Sequence, residues 1–377
     1  MQMLIFTGAD PSATAQTAAA TAALAAQQGT RTLLASVGPS HTHAALTPGP
    51  APQSLAPQLD GWALDALGDL AALWNAVRPS VNNAIISAIS GDELPIIPGS
   101  DLFLAVARLR QFAPSYDLIC VDAGSHAALL RALAVPDTFR WSLRLLFGLD
   151  RGPGRSNASV ARALVPTSLL PFEWIGQVQQ ARADLEQLRD ATLDPRNTRV
   201  RFVLRPDEGD LADARVAVPA LHLFGLAVEA LICGPLLPSA AVSGPLAALS
   251  AAQTQIHNDA AAIWTAIPHF ILPLGRTPAT PAAFAALGAT LYGEQTPLLR
   301  NALTPPISIQ PAPDPAIALH LPGLRREDLG LTLSGDELIV RAGAYRRHVL
   351  MPDGLRGTAN IKATRQGDTL IIRPRTG

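Results

Sequence analysis

The chain has 377 residues, of which 48% are apolar and only 16% charged, with 29 Lys plus Arg against 30 Asp plus Glu. This near-neutral balance gives no electrostatic basis for binding nucleic acid or an anionic membrane surface, and the length suits two domains, or one large one with an appendage. A single lysine, Lys362, stands near the C-terminus, which excludes any mechanism that needs a lysine in the first 361 residues.

In chain order, residues 3–7 are an apolar run ending at Gly8 and read as a strand. Residues 13–28 are alanine-rich and favour a helix, which Gly29 is placed to end. Residues 31–36 form a second expected strand. Strand, helix and strand in so short a span make a βαβ unit, with parallel strands and a right-handed crossover. Further buried strands are expected at 117–122, 199–204, 229–233 and 269–272, with helices between several of them. The expected fold is therefore a doubly wound parallel α/β sheet.

Two insertions interrupt the pattern, at about residues 62–112 and 139–194. The first carries Leu67, Leu70, Trp74, Val77, Val81, Ile85, Ile86 and Ile89 at helical spacing. The second carries Leu143, Leu146, Phe147, Leu169, Leu170, Phe172, Trp174 and Ile175. Such stripes either pack against each other and the sheet, or leave an exposed apolar groove. Cys120 and Cys233 lie far apart in apolar runs and read as buried thiols of a reducing compartment. No charged segment precedes the first apolar run, and no uninterrupted run reaches the ~18 residues of a membrane span. A soluble, cytoplasmic protein is expected.

A proline-rich segment, residues 304–315, marks the expected boundary between a body of residues 1–303 and a C-terminal domain of residues 316–377. Beyond it the pattern changes to period two, with short strands expected at 316–321, 329–333, 338–342, 348–351 and 370–372. Turns rich in Gly, Asp and Pro separate them, which is the signature of a small antiparallel sandwich.

The N-terminal series LIFTG, helix, RTLLAS, VGPSH and DLICVDAGSH resembles the ArsA/Get family, the arsenite-pump and tail-anchored-protein targeting ATPases. The resemblance covers about residues 1–295 and rests on order and spacing more than on identity. It implies a P-loop NTPase fold, ATP and Mg²⁺ as cofactors, and a homodimer whose helical regions lie side by side to take a hydrophobic client segment. Residue by residue, the family's loop GKGGVGKT falls on residues 8–15, where only Gly8 matches. Ala9 and Thr14 stand at the two lysine positions, and Ala15 replaces the hydroxyl that binds Mg²⁺. Asp10 adds a negative charge and Pro11 removes an N–H donor where a P-loop converges donors on phosphate.

Gly38 occupies the place of the water-orienting aspartate, and Gly234 that of the asparagine that would read adenine. Asp122 alone keeps a Walker B-like carboxylate, or else simply caps the next turn. Gly8, Thr14 and Asp122 thus outline a vestigial pocket. His41, His43 and His126 join Asp122 at the carboxyl ends of strands, but their spacing is no recognised zinc pattern, and no metal is assigned.

The C-terminal stretch carries LPGL, Asp328-Leu329, GDELIV at 335–340, Arg346-Arg347, MPDGL at 351–355 and the run from Ala363 to Leu370. It resembles the α-crystallin domain of small heat-shock proteins, which implies binding of apolar segments by sheet edges or grooves. An ArsA/Get-like body with such an appendage resembles a bacterial and plastid branch of the family.

Together these features describe a non-hydrolysing family member with no cofactor. Hydrophobic protein segments would be its clients, bound through Trp74, Val81, Ile85, Ile86, Ile89, Leu143, Leu146, Phe147, Trp174 and Ile175. It would work as a homodimer or beside an ATPase-competent paralogue. The alternatives are an ATP-binding enzyme in which Arg131, Arg151 or Arg155 replaces the missing lysines, and a regulatory scaffold for an active paralogue.

Overall fold

The computed structural model describes residues 1–37, 46, 49–80, 87–96, 99–147, 194, 196–238, 243–293, 303–311, 313–334, 337–356 and 361–375. The body is built from β1 (Gln2–Gly8), α1 (Pro11–Gln27), β2 (Thr32–Ser36), β3 (Gln53–Ala56), β4 (Leu59–Ala63), α2 (Ala66–Val77), α3 (Ser100–Phe112), β5 (Leu118–Ser125) and α4 (His126–Phe147). It continues with β6 (Thr198–Leu204), α5 (Glu208–Leu223), β7 (Val228–Leu236), α6 (Ala247–Ile263), β8 (His269–Pro273) and α7 (Pro281–Tyr292).

The strands form one eight-stranded sheet in the order β3-β4-β2-β5-β1-β6-β7-β8. From β4 to β8 every pairing is parallel, and β3 joins β4 antiparallel at the edge. The sheet is therefore mixed, where the sequence pointed to parallel strands throughout. A hairpin turn at Pro57-Gln58 brings β3 back onto β4, and β3 is too short and exposed to carry an apolar pattern.

Helices cover both faces because strand side chains alternate. On β1, Met3 and Ile5 enter the core under α3, α4 and α5, while Leu4 and Phe6 enter the core under α1 and α7. On β5, Ile119 and Val121 join the first core, and Leu118 and Cys120 the second. The alanines of α1 permit a close backbone approach to α7. A Cβ added at Gly288 would lie 2.5 Å from the carbonyl oxygen of Ala20. Trp62, expected at the start of the first insertion, is instead a fully buried residue of β4 whose indole donates to the Pro50 carbonyl at 3.0 Å.

The C-terminal strands form a sandwich. β9 (Ile307–Gln310), β10 (Ala316–His320), β14 (Ile361–Gln366) and β15 (Thr369–Pro374) make a sheet in the order β14-β15-β10-β9. β11 (Leu329–Ser334), β12 (Glu337–Ala342) and β13 (Tyr345–Leu350) make the other, and all pairings in both are antiparallel. The proline-rich segment is not bare linker, since β9 lies within it and pairs with β10.

The sandwich is packed on the body. Ile317, Leu319, Leu338 and Val340 belong to the same continuous buried cluster as Leu221, Phe224 and Trp264. Among the described residues, no helix is long and apolar enough to cross a membrane.

Candidate functional site

In an open α/β sheet the ligand crevice lies outside the carboxyl ends of the strands, beside the point where strand order reverses. Here β1 stands between β5 and β6, so the crevice is formed by Gly8 and Asp10, by Asp122 to His126, and by Arg205 to Asp210. Only Ala9 and Asp10 separate the end of β1 from the start of α1. That is too short a connection to curl around a phosphate group.

Asp10 is the N-cap of α1, with extended backbone, and its Oδ1 accepts from Ser12 N–H at 2.8 Å and Ala13 N–H at 3.1 Å. Pro11 follows at the first helical position, where it lacks the N–H that would otherwise need a partner. The free N–H groups and positive dipole end that make a helix N-terminus an anion site are thus already met by the protein's own carboxylate. Thr14 is fully buried and its Oγ1 donates to the Asp10 carbonyl at 2.7 Å, so it is turned back onto its own helix.

Gly8 has a structural reason to be glycine. A Cβ there would lie 2.2 Å from the carbonyl oxygen of Val203, its partner across the β1–β6 ladder. Gly234 is similar, since a Cβ would meet the Leu272 carbonyl oxygen at 2.4 Å. No larger side chain, asparagine included, is accommodated there as the strands stand.

Asp122 is 4% exposed and its Oδ1 accepts from Gly124 N–H at 3.1 Å, capping the turn that ends β5. Burial pushes its pKa up to about 6, against the lowering effect of that hydrogen bond. Thr7 Oγ1 closes the same turn by donating to the Gly124 carbonyl at 2.9 Å. His126 is 8% exposed, lies tilted against Phe202 with ring centroids 5.5 Å apart, and has its pKa lowered chiefly by burial. At the end of β6, Asp207 caps α5 by accepting from Asp210 N–H at 2.9 Å, and Asp210 in turn accepts from Arg205 N–H. Burial raises the Asp210 carboxyl to about 6.

Of the expected pocket residues, Gly8 packs against Val203, Thr14 is buried and bonded to its own helix, and Asp122 accepts from Gly124. ATP with Mg²⁺ does not fit these residues. The helix donors are taken, the Thr14 hydroxyl is taken, Ala15 offers no ligand, and Asp10 puts a carboxylate at the helix terminus itself. Phosphoryl transfer depends on positioning and charge neutralisation, and residues 8–15 supply neither. Among the described residues, no three His, Cys, Asp or Glu side chains come together to hold a metal ion. Gly38, His41, His43, Arg151 and Arg155 lie outside the described residues. Arg131 lines a cavity of about 210 Å³ with Val37, Gly99, Asp101 and Ala123, beside the ends of β2 and β5.

Of the expected client residues, Trp74 is half-buried on α2 and donates its indole N–H to the carbonyl of Ile89 at 2.9 Å. This folds the half-buried Ile89 segment back onto the helix. Val81, Ile85, Ile86, Trp174 and Ile175 lie outside the described residues, and Leu143, Leu146 and Phe147 are placed only as the last turns of α4. Helix α2 buries none of its residues completely, and Leu67, Leu73 and Val77 are 65%, 54% and 49% exposed. Trp141 on α4 is likewise 51% exposed.

A charged network that the sequence reading missed lies beneath α1. Arg201 of β6 is fully buried and donates to Glu229 of β7 at 2.7 Å and to the Tyr292 hydroxyl at 2.6 Å. Thr21 of α1 meets the same hydroxyl at 2.6 Å, and Arg199 donates to the other Glu229 oxygen at 3.2 Å. The signal was available, since Arg199 and Arg201 interrupt an otherwise apolar strand one turn of the pleat apart.

The family model for the anion-transporting ATPases matches residues 1–279, and a model for the HSP20-like domain found in ArsA matches residues 315–373. An uncharacterised protein of Streptomyces coelicolor is 32% identical over 390 residues, with 99% of this chain and 97% of that protein covered. A protein of Prosthecochloris vibrioformis, described as a candidate arsenical pump-driving ATPase, is 24% identical, with 95% and 92% covered. One from Aquifex aeolicus with a similar description is 20% identical, with 99% of both chains covered.

Proposed function

Because the chain belongs to the anion-transporting ATPase family and carries that family's HSP20-like domain, we propose that it keeps the fold without the nucleotide chemistry and works as a passive holdase for hydrophobic protein segments. The observation that carries the first half is the Asp10 carboxylate on the N–H groups of Ser12 and Ala13. It stands where an anion would be bound, and displacing it would cost the helix its cap.

The second half is supported by α2, which presents Leu67, Leu73 and Val77 to solvent. Leu73 and Val77 are four apart and share a face, with Leu67 six residues before Leu73; a client helix would offer apolar anchors at spacings of three and four to such a surface. With no nucleotide-driven closure, capture and release would follow simple mass action. A homodimer, or pairing with an ATPase-competent paralogue, would set two such surfaces side by side. Under the alternative reading, Arg131 at its cavity would stand in for a phosphate lysine.

The holdase reading predicts that the protein suppresses aggregation of a thermally unfolding client at near-stoichiometric ratio, equally with and without Mg-ATP. The double variant Leu67→Asp/Leu73→Asp is expected to lose most of that suppression while its own circular dichroism is unchanged. Suppression that requires ATP, or that survives the double variant, counts against the proposal.

A further inference from the structure

Two helices run from the crevice to the C-terminal sandwich. Helix α5 begins beside the crevice under its Asp207 cap and ends at Leu223, whose carbonyl accepts from Arg347 Nη1 of β13 at 2.7 Å. A guanidinium there satisfies a terminal carbonyl and sits at the negative end of the helix dipole. Midway along α5, Gly343 presses its backbone onto Val216, and a Cβ on that glycine would lie 2.4 Å from the Val216 Cγ1. Helix α4 begins at His126, directly after the turn capped by Asp122. One face of α4 meets β13, where His348 N–H points to the Asp137 carboxylate at 3.4 Å. Tyr345 feels the charges of both Arg131 on α4 and Asp213 on α5. A third attachment lies just past α6, where the Trp264 indole donates to the Pro322 carbonyl at 3.2 Å, under Gly323.

We infer that the C-terminal sandwich is an intramolecular clamp, which fixes α4 and α5 against the sheet and so holds the crevice in one arrangement without any ligand. Its partner is the body of its own chain. Three features carry this. The apolar core runs unbroken from α5 and Trp264 into β10 and β12. The Arg347 and Trp264 attachments end on backbone carbonyls, and Gly343 and Gly323 leave no room for a side chain, which disfavours sliding of the helices. Finally, both clamped helices have their first turns at the crevice, which makes them stiff connectors between the two regions. The clamp does not depend on whether the crevice binds nucleotide, and it places any client surface of the sandwich away from the face turned to the body.

Hydrogen–deuterium exchange on the full-length protein tests this. The variant Arg347→Gln removes one attachment and leaves the strands' own apolar faces intact. It is expected to speed exchange by about tenfold in the last turn of α5 and also in the crevice-side first turns of α4 and α5, residues 126–130 and 208–211. Lys362→Gln, on the exposed edge strand β14, serves as the control and should change nothing outside that strand. Gly343→Val is the severe variant. If it still folds, the same crevice-side segments should exchange faster still. If it fails to fold, Arg347→Gln alone decides the matter. Faster exchange confined to β12, β13 and the end of α5, with the crevice-side turns unchanged, would overturn the clamp.

Discussion

Replacing Arg201 with methionine is expected to destabilise the protein by about 3 kcal/mol, because Glu229 would lose its closest cation while remaining buried. The Tyr292 hydroxyl would lose its guanidinium donor at the same time. Arg199 keeps one oxygen of Glu229 paired, which places the loss at the lower end of the range for breaking a buried ion pair. The double variant Arg201→Met/Glu229→Leu should recover most of the loss, since a well-packed apolar pair costs no desolvation of charge. Urea unfolding midpoints of the two variants at pH 7 check this. A single variant as stable as the parent, or a double variant no better than the single, would show that the network is not what holds β6, β7 and α7 together.

The second large effect is expected at Gly8. An alanine there would place its Cβ 2.2 Å from the Val203 carbonyl oxygen, so the β1–β6 ladder must shift. The cost is expected at about 3 kcal/mol, the upper part of the range for overpacking. This outcome separates two reasons for having glycine at that place. If Gly8 served only to let a phosphate approach, Gly8→Ala would leave the ligand-free protein as stable as before. If it serves strand packing, thermal unfolding without any nucleotide will already show the loss.

The strands that bury both faces were legible in the sequence, because runs such as those of β1, β5 and β7 are apolar at nearly every position. Of the strands that escaped notice, β3, β9 and β14 are edges, whereas β4 lies inside the sheet between β3 and β2. β14 reads Ile-Lys-Ala-Thr-Arg-Gln and is exposed along most of its length, so it carries no alternation to find. β9 is four residues long and sits among prolines, which argue against a strand unless it lies at an edge.

The crevice was legible in part. The loss of the lysines and of the magnesium hydroxyl follows directly from Ala9, Thr14 and Ala15. What took their place did not, although Asp followed by Pro at the start of an apolar helix is a capping signal. Charge repulsion and a missing donor were the properties evident at Asp10 and Pro11. The geometry adds that Asp10 occupies the helix terminus itself. The packing of the sandwich against α4, α5 and Trp264 was not legible either. Its polar and close contacts are made by single residues such as Arg347 and Gly343, which leave no periodic trace, and its apolar contacts use β10 and β12 residues that a separate sandwich would bury as well.

The protein's own Asp10 carboxylate fills the helix terminus where the family fold would receive a phosphate. Isothermal calorimetry of the full-length protein with millimolar Mg-ATP, read beside its thermal unfolding, tests it most directly. No binding heat and no rise in unfolding temperature are expected, because a ligand that bound the folded state would stabilise it by mass action. Saturable heat with an upward shift in unfolding temperature would contradict it.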